Sequence, residues 1–246
     1  MKKILFLLVL SQLLFSATSQ QIETYLTVSK ADSELIAIEQ VFDSMRADDD
    51  NTSQEINQIY SLYLEEHLSA NEVDELLALY RTPIMQRYVI EMDIGELPKD
   101  EMKAFLEGVK ENPLSSERLD IVDNIVKHTV NDKQILAFYA SMTQRYRPKK
   151  NKTDSNGNDK NSTKKPTKRE KSFLEMTKKG AKNALLYGTQ VLSMEEMKAL
   201  NSALKSSIIT KASKVESDAM IFVMDAFIQG IVAQPKKKSN DDNNQS

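Results

Sequence analysis

The sequence predicts an all-α protein, a multi-helix bundle of amphipathic helices. Three observations support this fold class: apolar residues recur at helical spacing, convincing strand alternation is missing, and helix-start signals precede several periodic stretches. The 246 residues include no cysteine and six glycines. The composition therefore excludes disulfides, cysteine-ligated metals and thiol nucleophiles, and it leaves no glycine-rich nucleotide loop.

The first 19 residues have the pattern of a secretory signal peptide. Lys2 and Lys3 supply a basic start, Ile4 to Phe15 form a largely apolar run, and Ala17-Thr18-Ser19 offers a small-residue cleavage site. The run is too short for a membrane span, and no cysteine follows it for lipid attachment. We therefore expect a periplasmic or secreted protein without a transmembrane segment after cleavage.

Residues 20–146 are predicted to form an acidic helical domain, with 11 basic and 25 acidic side chains and a net charge of −14. Capping boxes of the form S/T-x-x-E begin helices at Ser69 with Glu72 and at Ser193 with Glu196. Pro83 suits the first turn of a helix. In order along the chain, the spacing predicts helices over 22–46, 53–67, 70–81, 83–92, 99–110, 115–128, 132–146, 173–191, 194–206 and 209–233.

A basic stretch separates this domain from the C-terminal helices. Residues 147–171 carry 10 basic and 3 acidic side chains with few apolar ones, so we expect a disordered linker. Residues 172–234 form a second helical segment, and residues 235–246 a disordered polar tail. Because a cysteine-free segment of this size is marginally stable alone, its helices are expected to dock on the N-terminal domain across the linker.

A short internal repeat relates the two helical parts. Leu68 to Leu76, LSANEVDEL, matches Leu192 to Leu200, LSMEEMKAL, without a gap. The match consists of a capping box followed by a heptad fragment, so it is explained either by duplication or by chance convergence.

The segment from Leu68 to Arg87 resembles the core of a family of exported Gram-negative bacterial proteins, domain of unknown function 2059. Leu79 stands where the family has an aromatic residue, and Met85 where it has glycine. The resemblance implies an all-helical exported protein and carries no established activity. The positions that it marks as structural or partner-binding are Ser69, Glu72, Tyr80, Thr82, Pro83, Gln86 and Arg87.

These marked positions have two interpretations. Thr82 would cap a new helix beginning at Pro83, which makes the turn a joint between packed helices, with Tyr80 on the buried side. Alternatively, the turn presents Gln86 and Arg87 as a recognition surface for a partner.

No catalytic, metal or cofactor site is predicted. His67 and His128 lack a ligand partner at face-sharing spacing, and a histidine near a helix C-terminus is favoured by the helix dipole. Met194, Met197, Met220 and Met224 fit core packing better than copper binding. The linker offers cations for phosphate or anionic lipid, namely Lys149, Lys150, Lys164, Lys165, Lys168 and Arg169.

Three functions remain open from the sequence. The first is a non-enzymatic exported protein that binds an unknown protein partner or envelope component. The second is a hydrolase of envelope polymers that uses paired carboxylates, and the third is linker-mediated binding to anionic lipid or polysaccharide. No nucleic-acid partner is expected. An apolar groove near Tyr80 to Tyr88 would favour the first, and two close carboxylates in a pocket would favour the second.

Overall fold

The structure, a computed structural model, describes residues 16–33, 35, 36, 39, 52–92, 98–144 and 166–233. Residues 1–15 of the predicted signal, 147–165 of the predicted linker and the predicted tail lie outside this part. The described residues contain no strand, so the all-α prediction is confirmed. Their named helices are α1 Ser19–Ser29, α2 Thr52–His67, α3 Ala70–Tyr80, α4 Pro83–Glu91, α5 Lys99–Glu111, α6 Ser116–Thr129, α7 Asp132–Gln144, α8 Lys168–Gly188, α9 Met194–Leu204 and α10 Ser207–Ala233.

The C-terminal helices pack against the N-terminal ones, as predicted. Helix α8 contacts α5, α6 and α7, α9 contacts α4 and α6, and α10 contacts α2, α3 and α7. One core of buried apolar side chains runs through both parts and includes Leu76 and Tyr60 from the first and Leu200 and Val223 from the second. Burial of these side chains in common supplies the driving force for docking.

Ion pairs follow the same interface. Lysines of the C-terminal helices meet carboxylates of the N-terminal helices, which agrees with the acidic character of the N-terminal part. Because these side chains are partly exposed, each pair adds little stability but favours this docking over others. The pairs are Lys178–Asp132 at 2.6 Å, Lys182–Asp123 at 2.5 Å, Lys198–Glu117 at 2.7 Å, and Lys211–Glu72.

The internal repeat extends well beyond the nine matched residues. Helices α3 and α9 both have 11 residues and begin at Ala70 and Met194, and the following helices begin at Pro83 and Ser207, so the two stretches keep one register 124 residues apart. Buried positions coincide in this register: Leu68 with Leu192, Val73 with Met197, Leu76 with Leu200, and Met85 with Ile209. A shared capping signal alone would not align these successive helices, so the structure favours duplication.

The helices before the repeat correspond as well. Helix α1 packs on α2 and α3, and α6 packs in the same way on α8 and α9. Gln21, at the third position of α1, donates to the carbonyl of Ala70 and to Asp74. Arg118, at the third position of α6, donates to the carbonyls of Thr189 and Leu192. We call α1 to α4 the first half and α6 with α8 to α10 the second half. In each half the third residue of the first helix, α1 or α6, binds the chain near the start of the helix that carries the capping box.

Two ion pairs cross between the halves reciprocally. The capping carboxylate Glu72 of α3 pairs with Lys211 of α10, and the capping carboxylate Glu196 of α9 pairs with Arg87 of α4 at 2.5 Å. In the register of the repeat, Glu72 corresponds to Glu196 and Arg87 to Lys211. Each half therefore supplies a carboxylate and a cation to the other, as expected for a pseudo-twofold arrangement.

The Glu72 carboxylate makes this arrangement sensitive to pH. Burial raises the pKa of Glu72, but hydrogen bonds from Lys211 and Ser69 outweigh burial and leave the pKa below its ordinary value. A depressed pKa contributes stability above the ordinary carboxyl range, and this contribution is lost as the pH falls through the folded-state value.

We therefore expect Glu72→Gln to lower the free energy of unfolding at neutral pH by about 0.5 to 1 kcal/mol, since glutamine retains the cap but loses the charge. The difference from wild type should shrink and vanish as the pH is lowered from neutral through and below the ordinary carboxyl range. Urea denaturation across this range measures it, with exposed Glu75→Gln on the same helix as the control. A difference that persists unchanged in acid would contradict the assignment.

The predicted helix 22–46 is wrong in its middle. Helix α1 ends at Ser29, where Lys30 takes the left-handed conformation (φ 57°) and closes the helix by donating to the Leu26 carbonyl. A turn follows through Ser33, and helical backbone resumes at Leu35. Glycine normally marks such an ending, so the stop was not visible in a stretch without glycine. Residues 40–46 lie outside the described part.

The predicted boundary of the linker also needs correction. Helix α8 begins at Lys168, five residues before the predicted start, so residues 168–171 belong to a helix. The Thr167 hydroxyl caps it by accepting from the Glu170 N–H, and the Glu170 carboxylate accepts from the Thr167 N–H at 2.6 Å. This is another capping box, and the charge of the surrounding residues concealed it.

Residues 16–18 form part of the folded structure. The Ala17 N–H donates to the Leu68 carbonyl at 2.9 Å, Ala17 is buried, and Thr18 caps α1 through a capping box with Gln21. Cleavage after Ser19 would remove these contacts.

Candidate functional site

A cavity of about 600 Å³ lies among the helices of both halves. Its wall is built from the turn after α1, from α2, α3 and α4, from the loop between α6 and α7, and from α7, α8 and α10. Because side chains from most of the described helices meet there, the cavity exists only when the C-terminal helices are docked. Its volume falls within the range of about 300 to 1,000 Å³ that is usual for small-molecule sites.

Aromatic rings form much of the wall. They come from five different helices and are Tyr60, Tyr80, Tyr88, Phe138 and Phe173. Other apolar side chains, such as Ile135 and Met220, also line the cavity. Such a wall suits a ligand with an apolar body, because it removes apolar surface from water on both partners.

A carboxylate stands among these rings. Glu216 of α10 lines the cavity, and one of its oxygens accepts a hydrogen bond from the hydroxyl of Tyr25, a fully buried residue of α1. Tyr25 meets Tyr80 edge to face, with ring centroids 5.8 Å apart. The contacts connect Glu216 to the core on one side and to an aromatic wall on the other.

The phenols beside Glu216 stay neutral. Burial raises the pKa of Tyr25 well above its ordinary value, and the charge of Glu216 raises it further. Burial and the same charge raise the pKa of Tyr80. Both phenols therefore stay protonated at any physiological pH, and the Tyr25 hydroxyl donates to Glu216.

The opening of the cavity is polar. Lys30 and Asn131 line it and are exposed to solvent. Inside, the Ser217 hydroxyl donates to the Ser213 carbonyl at 2.9 Å on its own helix, and the Tyr60 hydroxyl donates to the Ala31 carbonyl at 3.3 Å. A ligand thus meets a hydrated rim first and a mainly apolar interior with a few fixed polar groups behind it.

The positions marked by the family resemblance do not form one site. Tyr80 lines the cavity, whereas Ser69 and Glu72 form a capping box at the start of α3. Arg87 binds Glu196 and also donates to the Val191 carbonyl at 3.2 Å, so it joins α4 to the loop before α9. Gln86 is exposed on α4.

The predicted cap at Thr82 is wrong in its mechanism. Pro83 does occupy the first turn of α4, and Thr82 stands at the cap position with extended backbone. Its hydroxyl, however, makes no cap bond and donates to the Leu79 carbonyl at 2.7 Å. The side chain therefore closes α3 rather than opening α4.

Most of the candidate anion-binding cations of the linker lie outside the described residues. These are Lys149, Lys150, Lys164 and Lys165. Lys168 and Arg169 are exposed in the first turn of α8, away from the cavity wall.

The two histidines lie in the last turns of helices, and the four methionines considered from the sequence lie in the core or pack against it. His67 stacks on Tyr63 with centroids 3.9 Å apart, and His128 is exposed in the last turn of α6. Met197 and Met224 are buried, while Met194 and Met220 pack against the core. The described part of the chain shows no cluster of three or more His, Asp or Glu side chains suited to a metal ion.

Sequence reasoning did not identify Glu216, Phe138 or Phe173 as site residues. Glu216 had a detectable signal: it lies four residues after Ala212 and four before Met220, on a helix face whose neighbours are buried or packed on the core. A carboxylate on a largely buried face is unusual, because removing its charge from water costs free energy. The aromatic residues carried no comparable signal, because ordinary core packing places them at the same spacing.

Comparisons with family models, curated proteins and solved structures found no match for this chain. The resemblance to the domain of unknown function 2059 family therefore stays an expectation. No helix in the described ranges is long and apolar enough to cross a membrane.

Proposed function

We propose that this chain is an exported, non-enzymatic binding protein that holds a small molecule with an apolar body between its two halves. The cavity of about 600 Å³ with its aromatic wall is the observation that carries the proposal. The cavity opens to solvent, so the apolar surface of its wall stays in contact with water unless a ligand with an apolar body covers it.

From the sequence, an apolar groove near Tyr80 to Tyr88 is expected of a protein that binds a protein partner or envelope component. Both residues line the cavity, whose size favours a small molecule as the ligand. A carboxylate-pair hydrolase receives less support, because the wall contains one carboxylate, Glu216, among the residues described. Export is supported by the signal-like pattern of residues 1–19.

A neutral fluorescent probe tests the proposal. N-phenyl-1-naphthylamine brightens in apolar surroundings and should bind the wild-type protein saturably, with one site per chain. Ala181→Phe, which places a ring in the cavity wall, should weaken this binding by about tenfold or more, since the ring occupies the space that the probe needs.

Ala104→Phe is the matched control, because Ala104 is exposed on α5 and does not line the cavity. Its affinity for the probe should equal that of wild type. Circular dichroism verifies that both variants fold, and Ala181→Leu serves as a milder replacement where the larger ring is not tolerated. Failure of the wild-type protein to bind the probe, or equal binding by the folded cavity variant, would overturn the proposal.

A further inference from the structure

The start of α1 is built from residues that the predicted signal peptide includes. The predicted cut, between Ser19 and Gln20, lies in the first turn of this helix. Thr18 caps the turn: its hydroxyl accepts from the Gln21 N–H at 3.2 Å, and the Gln21 side chain accepts from the Thr18 N–H at 3.1 Å. A cut after Ser19 would therefore separate α1 from its cap and place a terminal ammonium at the positive end of the helix dipole.

The residues before Gln20 also attach α1 to the rest of the core. The Ala17 N–H donates to the Leu68 carbonyl, which lies just before α3, and the Ala17 side chain is buried. Farther along α1, Ile22 and Tyr25 are fully buried. Since α1 supplies side chains to the core, loss of its first contacts would loosen a helix on which the packing of the first half depends.

The second half has the same arrangement before α6. In the register set by the third residues of α1 and α6, Ser115 corresponds to Thr18 and Leu114 to Ala17. Ser115 caps α6 as Thr18 caps α1, in both cases through a hydroxyl that accepts from the N–H three residues later. Leu114 packs against the core, and Ala17 is buried at the same position in the first half. The cap and the apolar residue before it therefore belong to the repeated unit.

We infer that the mature protein retains Ala17, Thr18 and Ser19, so that the leader removed on export ends no later than Ser16. This inference rests on the proposed export of the chain and not on the cavity. Ser16 is a small residue of the kind found directly before a cleaved bond. A chain that begins at Ala17 still donates from its first nitrogen to the Leu68 carbonyl and keeps the cap of α1.

The mass of the exported protein identifies its first residue. The full chain is produced in a Gram-negative host, and the intact mass of the protein recovered from the periplasm is measured. We expect the first residue to be Ala17 or one before it. A mature chain that begins at Thr18 or later would overturn the inference.

Gln20→Pro separates the two possible cuts. Signal peptidases do not cut before proline, whereas a helix accepts proline in its first turn. A cut after Ser19 would be blocked in this variant, so we expect processing before Ala17 to proceed as in wild type. Gln20→Ala is the matched control, because Gln20 is exposed. Accumulation of the uncut precursor in Gln20→Pro but not in Gln20→Ala would contradict retention of the three residues.

Two shortened chains test the structural role of these residues. One begins at Ala17 and the other at Gln20, each released from a cleavable tag, and the first contains every residue that the structure describes except Ser16. We expect the chain from Gln20 to melt about 4 to 8 °C lower, because it lacks the cap and the contacts of Ala17. In the chain from Ala17, exposed Glu23→Ala is the control and should melt like its parent. Equal melting temperatures of the two chains would overturn the inference.

These measurements do not involve the cavity. A mature chain that begins at Gln20 would leave the proposed binding of a small molecule standing. Absence of dye binding would overturn that proposal and leave the first residue of the mature chain unaffected.

Discussion

Truncation of Leu76 to alanine is expected to lower the free energy of unfolding by about 2 to 5 kcal/mol, and truncation of Leu200 by a similar amount. Both side chains are fully buried, and they occupy corresponding positions in α3 and α9. Because their helices belong to one core, either truncation should shift the whole unfolding transition. Urea denaturation followed by circular dichroism measures the shift.

Exposed Glu75→Ala, one residue before Leu76, is the control for the loss of side-chain atoms from the same helix, and it should leave stability nearly unchanged. A loss below about 1 kcal/mol at Leu76 or Leu200 would contradict their burial. A transition in two steps, with each truncation affecting a different step, would contradict the common core.

Alanine substitutions at two glycines of α8 are expected to have opposite effects. A Cβ at Gly188 would lie 2.5 Å from the Met92 sulfur and 2.8 Å from the Glu91 carbonyl oxygen, where the end of α4 approaches α8. Backbone must shift to accommodate it, so Gly188→Ala should cost about 1 to 3 kcal/mol.

Gly180→Ala meets no atom within 4 Å and should instead raise stability by about 0.5 to 1 kcal/mol, because alanine is the better helix former. Thermal and urea denaturation of both variants provide the comparison. The close approach of α4 and α8 would be refuted if the two substitutions acted in the same direction by the same amount.

Local chemistry made most helices predictable. Among the described residues, the capping boxes at Ser69 and Ser193 were predicted from the S/T-x-x-E spacing, and helices α3 and α9 begin directly after these residues. The misses occurred where the signal was weak. A lysine instead of glycine closes α1, and the first turn of α8 is so charged that it resembles the linker before it.

The cavity was not predictable in the same way. Tyr25 and Glu216 are 191 residues apart, and no periodicity of either helix indicates that they meet. Hydrophobic spacing identifies the buried face of a helix but not whether the faces close completely around the core. Tyr80 was expected on the buried side of a turn and at the end of a possible groove, but its place on a cavity wall depends on five other helices.

The reciprocal ion pairs have a further consequence. In a symmetric homodimer, residue i of one subunit meets residue j of the other, and j meets i, which is the relation that Glu72–Lys211 and Arg87–Glu196 show within a single polypeptide. A true dimer would have to duplicate every site. The two halves of a single chain can instead differ from each other. The counterparts of Tyr80 and Glu216 in the opposite halves are Leu204 and Met92, so each of these polar groups has an apolar side chain at the corresponding position.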